Sequence, residues 1–263
     1  MIFDSHCHWD FDDFTPDRSM ILDHCLKKEV LALCIPGTTQ ARWHSIIHLT
    51  ESTHSIVCYC ALGLHPYFID EHHPDHLDTL EQHLVQRPEH LIAVGEIGLD
   101  FYLGHLDRDQ QESLFRAQVK IAQAHKLPII LHARKSHDQI LKILRELHFQ
   151  ECGIVHAWSG SEQQANRFIA MGFKLGFGGA ITYPRATKLR HLATTLPLTC
   201  LVLETDAPDM APAAFKGQRN SPEYLPLILD ELCQLRPESA EIIARQTTQN
   251  TMDVLRIQSS KMP

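Results

Sequence analysis

The residues of this chain that can do chemistry are His6, His8, Glu96, His132, His156 and Asp206. Four imidazoles and two carboxylates are donor types that hold divalent ions, and such ions turn water into a nucleophile near neutral pH. None of the six is informative alone. The His6-Cys7-His8 pair is a pattern that 19 histidines in 263 residues produce by chance. Position is what gives the set meaning, because each member closes or follows a short apolar run. His6 and His8 end the run 2–8, Glu96 ends 91–96, His132 ends 128–132, His156 ends 153–156, and Asp206 follows 200–205. Residues two apart on a strand share a face, so His6 and His8 point the same way. A carboxylate directly after an apolar run, as Glu96 is, needs a partner if it is buried. One ion, or two bridged by its oxygens, would serve.

These residues need a scaffold that brings distant strand ends together. Apolar runs recur near 2–8, 30–35, 56–62, 91–96, 128–132, 154–156, 173–177 and 200–204. Several are rich in β-branched residues and nearly continuous, the pattern of parallel strands buried on both faces. Helical patterns lie between them. The clearest is 109–126, with Leu114, Val119 and Ile121 on one side. Segments 136–147 and 161–171 follow, with Ser136 and Ser161 as candidate N-caps. The alternation predicts a closed (β/α)8 TIM barrel. A doubly wound open sheet is the alternative, and neither GxGxxG nor GxxxxGK[ST] occurs to support it. Barrel active sites lie at the C-terminal ends of the strands, where all six residues would fall. A Pro-rich loop at 207–222 and two further helical segments, 223–235 and 239–255, complete the pattern. Without a linker, repeat or low-complexity stretch, one domain over residues 1–263 is expected.

The formal net charge of −8 argues against nonspecific binding of long nucleic acid over the whole surface. A local basic patch stays compatible with it, and bound cations would offset acidic charge within a site. The eight cysteines are scattered without a CxxC pair, so buried thiols are expected rather than a zinc knuckle. No apolar run approaches the roughly 20 residues of a membrane helix. The opening Met1-Ile2-Phe3-Asp4 has no basic region or long apolar run, so no signal peptide and a cytoplasmic location are expected. Nothing calls for a protein partner, and a monomer is the working expectation.

Several segments together resemble the motifs of the TatD-family metal-dependent deoxyribonucleases. They are DSHCH (4–8), ALGLHP (61–66), GEIGLDF (95–101), PIILHAR (128–134), HAWSG (156–160) and LETDAPDMAP (203–212), with Gln111-x-x-x-Phe115 and Gln249-Asn250-Thr251. The likeness is especially close to the YjjV-type hydrolases and runs from residue 4 to about residue 255. It implies a barrel of the amidohydrolase type and a binuclear site. Carried over by position, His6, His8 and Asp206 hold one ion, His132 and His156 hold the second, and Glu96 bridges them. Trp158 stands where Phe is common and Ala133 where Ser is frequent; no ligand position is lost.

The residues around this set suggest roles. Asp206 is the candidate general base, with Glu96 as its catalytic companion. Arg134, two residues past His132, is a candidate clamp for a substrate phosphate, with a rim salt bridge as the alternative. His65, in a segment that matches the family, is a candidate substrate-facing group. Asp4 and Glu204 would orient ligands from the same strand face. Lys216, Arg219 and Asn220 offer further phosphate contacts, while His72, His73 and His76 read as a solvated loop. Cys7 should face away from the site. The ions would be Mg, Mn or Zn: imidazole favours the softer metals, and the family activity points to Mg. The expected substrate is a DNA end or another phosphodiester. Hydrolysis of small esters, amides or lactones is the alternative, and a noncatalytic phosphate-end binder a third.

Overall fold

The computed structural model describes residues 1–258. Eight strands form one sheet in chain order: β1 (Ile2–Asp4), β2 (Val30–Pro36), β3 (Val57–Leu62), β4 (Leu91–Asp100), β5 (Ile129–Arg134), β6 (Gly153–Val155), β7 (Phe173–Phe177) and β8 (Leu201–Leu203). Every neighbouring pair is parallel. Helices α1 (Arg18–Lys27), α2 (Trp43–Ser52), α3 (Asp75–Gln86), α4 (Arg108–Ala124), α5 (His137–Glu146), α6 (Glu162–Ala170) and α7 (Thr187–Thr195) each connect one strand to the next. Helices α8 (Leu225–Leu235) and α9 (Ala240–Val254) follow the last strand. The seam between the two end strands is drawn together just beyond them. Ser5 N–H donates to Leu203 O at 2.9 Å, Asp206 N–H to His6 O at 2.9 Å and His8 N–H to Ala207 O at 2.8 Å. This is the expected TIM barrel.

Apolar side chains divide into two groups. A large one, including Ile21, Ile46, Leu80, Phe115, Ile140 and Phe168, packs the helices onto the strands. A smaller one fills the barrel: Phe3, Ala32, Cys34, Tyr59, Ala61, Ala93, Ile130, Ile154 and Val202. Met252, Val254, Leu255 and Ile257 join it from the end of the chain, plugging the barrel at its N-terminal end. Strand alternation then says what else points inward. From Ile130 it carries His132 and Arg134 inward, from Ile154 it carries His156, and from Val202 it carries Glu204 and Asp206.

On two strands simple alternation would fail. Counting from Ala93, Glu96 should face outward; counting from Phe3, so should His6 and His8. Each chain segment breaks step. The β4–β5 register shifts between Val94 and Ile97, which turns Glu96 inward, and Gly98 and Asp100 with it. A bend at Ser5 does the same for His6 and His8, leaving Cys7 in the outer core. Bulges that re-aim a side chain recur beside active sites. Gly98 is required here: its φ is +148°, and a Cβ would run into the His132 carbonyl.

Helix α4 fastens the mouth. Its buried Gln111 accepts from Asp100 N–H at 2.8 Å and donates to Asp100 O at 3.3 Å. One face along, Gln118 accepts from Leu64 N–H at 2.7 Å and donates to Leu64 O at 3.1 Å. Ser161 caps α6 through a reciprocal bond pair with Gln164, as the sequence suggests. Ser136 does not cap α5; its hydroxyl donates instead to Leu99 O at 2.6 Å, tying the helix start to β4. All eight cysteines are free, and six are fully buried. Among the described residues no helix is long and apolar enough to cross a membrane.

Candidate metal centre

At the C-terminal mouth the six residues converge around Glu96, which is 1% exposed. Its two oxygens face different partners. Oε2 lies 3.2 Å from His6 Nε2 and 3.7 Å from His8 Nε2, and Asp206 Oδ1 lies 3.6 Å from each of those nitrogens. Oε1 lies 3.0 Å from His132 Nδ1 and 2.8 Å from His156 Nε2, which are 3.4 Å from each other. Atoms bound to one ion at about 2.1 Å sit about 3.0–3.4 Å apart in octahedral or tetrahedral arrangements. Both sets are close to that spacing. They overlap, because His6 and His156 stack at 4.0 Å between ring centroids.

Two further carboxylates stand at the outer edges of the imidazoles, and one of them, Asp100, is hydrogen-bonded to its ring. Asp100 Oδ2 lies 3.1 Å from His132 Nε2, so that ring donates there and leaves the Nδ1 lone pair for Glu96's side. Asp100 is itself fixed, its Oδ1 accepting from Tyr102 N–H at 3.0 Å. Glu204 accepts from Ala157 N–H at 2.5 Å and is 3.8 Å from His156 Nδ1. Asp4 turns away from the rings and acts on backbone. It accepts from Thr205 N–H at 2.9 Å, Thr205 Oγ1 at 2.6 Å and His6 N–H at 3.3 Å. Asp4 therefore positions the β1–β8 seam and not an imidazole, because the bend at Ser5 puts it on a different face from His6.

Charge in this cluster is not balanced by its own residues. Burial holds His6 down at about 4 and His8 well below the usual range, so both are neutral at pH 7. Burial lifts Asp206 to about 7, Glu204 to about 8 and Asp4 to about 7. Burial would also lift Glu96, but the charges of His156, His65 and His6 and the His132 hydrogen bond outweigh it and hold Glu96 well below the carboxylate range. For His156, burial is overcome by Glu96 and Asp206, which raise it to about 10. Without an ion, protons are what hold these groups together. Even so, His6 Nδ1 and Nε2, His8 Nδ1, His156 Nδ1 and Glu204 Oε2 are buried with no hydrogen-bond partner. Neutral imidazoles, paired carboxylates and orphaned polar atoms at ligand spacing fit divalent ions.

The family model described as TatD related DNase matches residues 3–256. The chain belongs to this family. It is 40% identical over 254 residues to YjjV of Escherichia coli K12, described as an uncharacterized metal-dependent hydrolase, with 97% of each chain covered. The crystal structure of that TatD homologue superposes with a TM-score of 0.94 over 98% of both chains. A protein of Pantoea described as 3'-5' ssDNA/RNA exonuclease TatD is 30% identical over 262 residues, covering 97% of this chain and all of that one. A TatD-family protein from Entamoeba histolytica, at 22% identity and a TM-score of 0.84, shares the fold.

Within this TatD-family framework the remaining sequence candidates separate. His65 joins the centre: its Nε2 lies 3.1 Å from Glu96 Oε1. Because its Nδ1 accepts from Tyr67 N–H at 3.0 Å, its proton belongs on Nε2, making it a donor to Glu96 rather than a further lone pair. Arg134 is the last residue of β5, inside the strand rather than past it. Half exposed, it stacks over Tyr102 at 3.9 Å and keeps only a long 3.9 Å contact with Asp100. Arg219 is committed to Asp17 and the Asp13 carbonyl. Asn220 is spent on Thr205 O and Asp209 O, each at 2.7 Å. Both brace the loop after β8 and are not free for phosphate, whereas Lys216 is exposed. His72 is not simply solvated: its Nε2 donates to His65 O at 2.9 Å. Asp100, Gln111 and Gln118 received no role from the sequence. Their signal was present in GEIGLDF and in the glutamine spacing of α4, but a role needed the partner across the strand.

Proposed function

We propose that this chain is a metal-dependent phosphodiesterase, a deoxyribonuclease working from nucleic-acid ends with two divalent ions at the mouth of the barrel. The observation that carries the reading is the division of Glu96, one oxygen toward His6 and His8 and the other toward His132 and His156. That is the arrangement a bridging carboxylate needs. His6, His8 and Asp206 complete one side, and His132 and His156 the other. The similarity to the Pantoea exonuclease supports nucleic acid as the substrate. Divalent ions at such a site acidify water and polarise a phosphoryl oxygen.

The chain's own groups divide the remaining tasks. Asp206, whose Oδ1 lies 3.6 Å from both His6 and His8, would accept a proton from the attacking water. Its φ of +57° is a left-handed backbone that aspartate tolerates and that aims the carboxylate into the cluster. Ala157 shares that region at φ +43°, at a cost of about 1–3 kcal/mol, and this turn sets where His156 leaves β6. Asp100 fixes the His132 imidazole, and Glu204 holds the Ala157 backbone beside His156. His65 donates to Glu96 Oε1 and helps fix the rotation of that carboxylate. Arg134, planar and only loosely engaged, offers parallel donors to a nonbridging phosphate oxygen.

The test is labelled single-stranded DNA incubated with metal-stripped protein and Mg, Mn or Zn in turn, beside an Asp206→Asn control. Ion-dependent shortening that the control lacks supports the proposal. Hydrolysis of a small neutral ester or lactone without cleavage of DNA transfers the function to that alternative.

A further inference from the structure

The loops after β5 to β8 enclose a trough along one side of the metal cluster. Its centre is a pocket of about 320 Å³ between Trp158, Leu189, Leu192 and the backbone of Gly160 and Gly176. The pocket shares a wall with the centre. Ala157, next to His156, lines it, and Gly176 is backed so closely by the Glu204 carboxylate that a Cβ would collide with it. Past Lys188 and Ser159 the pocket opens into a cavity of about 650 Å³ that reaches Arg134, Lys135 and Tyr102. Past Arg185 it opens the other way into one of about 660 Å³ that reaches Tyr183.

The chemistry of this trough is specific. Inside the central pocket the only charged lining residues are Lys188 and Arg185, which stand at its two openings. Both are exposed, and neither makes an ion pair with any described residue. Of the acids along the trough, Asp138 is taken by Arg167 and Gln164, and Asp209 lies at the far end. In a chain of net charge −8, four cations in one trough are a local reversal of sign. Aromatic rings accompany them: Tyr102 carries Arg134 and Lys135 at 3.9 and 4.8 Å, and Tyr183 carries Arg185 at 5.6 Å. Cations spaced between apolar and aromatic surfaces are how a single nucleic-acid strand is held. A base that is paired and stacked in a duplex has no free face to offer such a pocket.

We propose that the Trp158–Leu189–Leu192 pocket seats one unpaired nucleobase, with Lys188 and Arg185 holding the phosphates on its two sides. The assignment rests on the phosphodiesterase reading and adds to it the element that selects single strands.

Equilibrium binding separates the two claims, because it needs no turnover. A labelled short oligothymidylate is titrated into metal-stripped protein at several salt concentrations, followed by fluorescence anisotropy. Each phosphate contact on a single strand contributes about 0.7 to the slope of log K against log salt, so Arg185→Ala with Lys188→Ala should flatten the slope by about 1.4. Leu189→Trp, which fills the pocket from a half-exposed position, should weaken oligothymidylate by about tenfold while keeping the wild-type slope. It should leave a blunt duplex of equal length unaffected. Circular dichroism checks that each variant is folded. No binding by the wild type at low salt, an unchanged slope in the double variant, or wild-type affinity in Leu189→Trp overturns the base seat. Binding with these signatures but no phosphodiester cleavage under any ion leaves the seat standing and removes the nuclease reading.

Discussion

His132 presents Nδ1 to Glu96 at 3.0 Å and Nε2 to Asp100 at 3.1 Å. One ring thus joins a central carboxylate to a peripheral one. Asp100 decides which nitrogen of His132 carries the proton, and Gln111 decides where Asp100 stands. Orienting carboxylates of this kind are worth about 10- to 100-fold in metal affinity. Asp100→Ala should therefore weaken one ion by about that factor and leave the ion beside His6 and His8 nearly unchanged. Competition with a chromophoric chelator reads the two affinities. Equal weakening of both ions would contradict the division of Glu96.

Stoichiometry tests the same division directly. Saturated wild-type protein should hold two divalent ions per chain, and His132→Ala with His156→Ala should reduce this to one. Elemental analysis after gel filtration gives the number. A wild-type value near zero, or two ions in the double variant, would end the binuclear model.

On the proposed reading, Asp206→Asn removes an anionic ligand and the proton acceptor without changing side-chain size. Hydrolysis should be lost while the far-ultraviolet circular dichroism spectrum stays that of wild type. Turnover near the wild-type level would show that the proton leaves by another route.

Arg134→Lys discriminates phosphate from ester chemistry. Lysine cannot supply two parallel donors, and losing a charge-assisted contact costs about 1.5–3 kcal/mol, or about 10- to 150-fold in kcat/KM. Phosphodiester hydrolysis should fall by that much and hydrolysis of a small neutral ester hardly at all. Equal losses on both would place Arg134 in a structural role.

The ion-free protein should lose stability as pH rises from about 7.5 to 9. Groups held low in the folded chain, His6 and His137 at about 4, are neutral in both states above about pH 7.5 and contribute no slope there. Groups held high dominate: Asp4 and Asp206 at about 7, Glu204 at about 8 and His156 at about 10. The folded chain keeps protons there that the unfolded chain has released, so stability drains away as each is titrated. Calorimetry should show Tm falling across this window, with a smaller fall when Mn replaces the protons. A rising Tm would reverse the sign of the argument.

Much of this architecture was legible in the residues because barrel strands declare themselves as apolar runs and their last residue falls at the mouth. His132, Arg134, His156 and Asp206 followed from that rule, since their strands keep step from Ile130, Ile154 and Val202. Glu96, His6 and His8 reach the mouth by breaking step, at the β4 register shift and the Ser5 bend. Such a break depends on hydrogen bonding with the neighbouring strand, which no single stretch of sequence records. Asp100 was hidden for the same reason, standing beyond the expected end of its run. Ser136 and His72 looked like a cap and a solvated residue because each type usually is one; their actual partners, Leu99 O and His65 O, lie on other elements.

The seam between β1 and β8 has a consequence for how the molecule is made. The backbone bonds that close the barrel there run between the segments carrying His6 and His8 and the segment carrying Asp206. During synthesis the first two of these residues emerge at the outset, and their carboxylate counterpart follows only after nearly all the strands have left the ribosome. A nascent chain can therefore offer an ion His6 and His8 but not the carboxylate across the seam. Closing the ring and bringing Asp206 to His6 and His8 are one event, so an ion held by those three residues would latch the finished product rather than guide early folding.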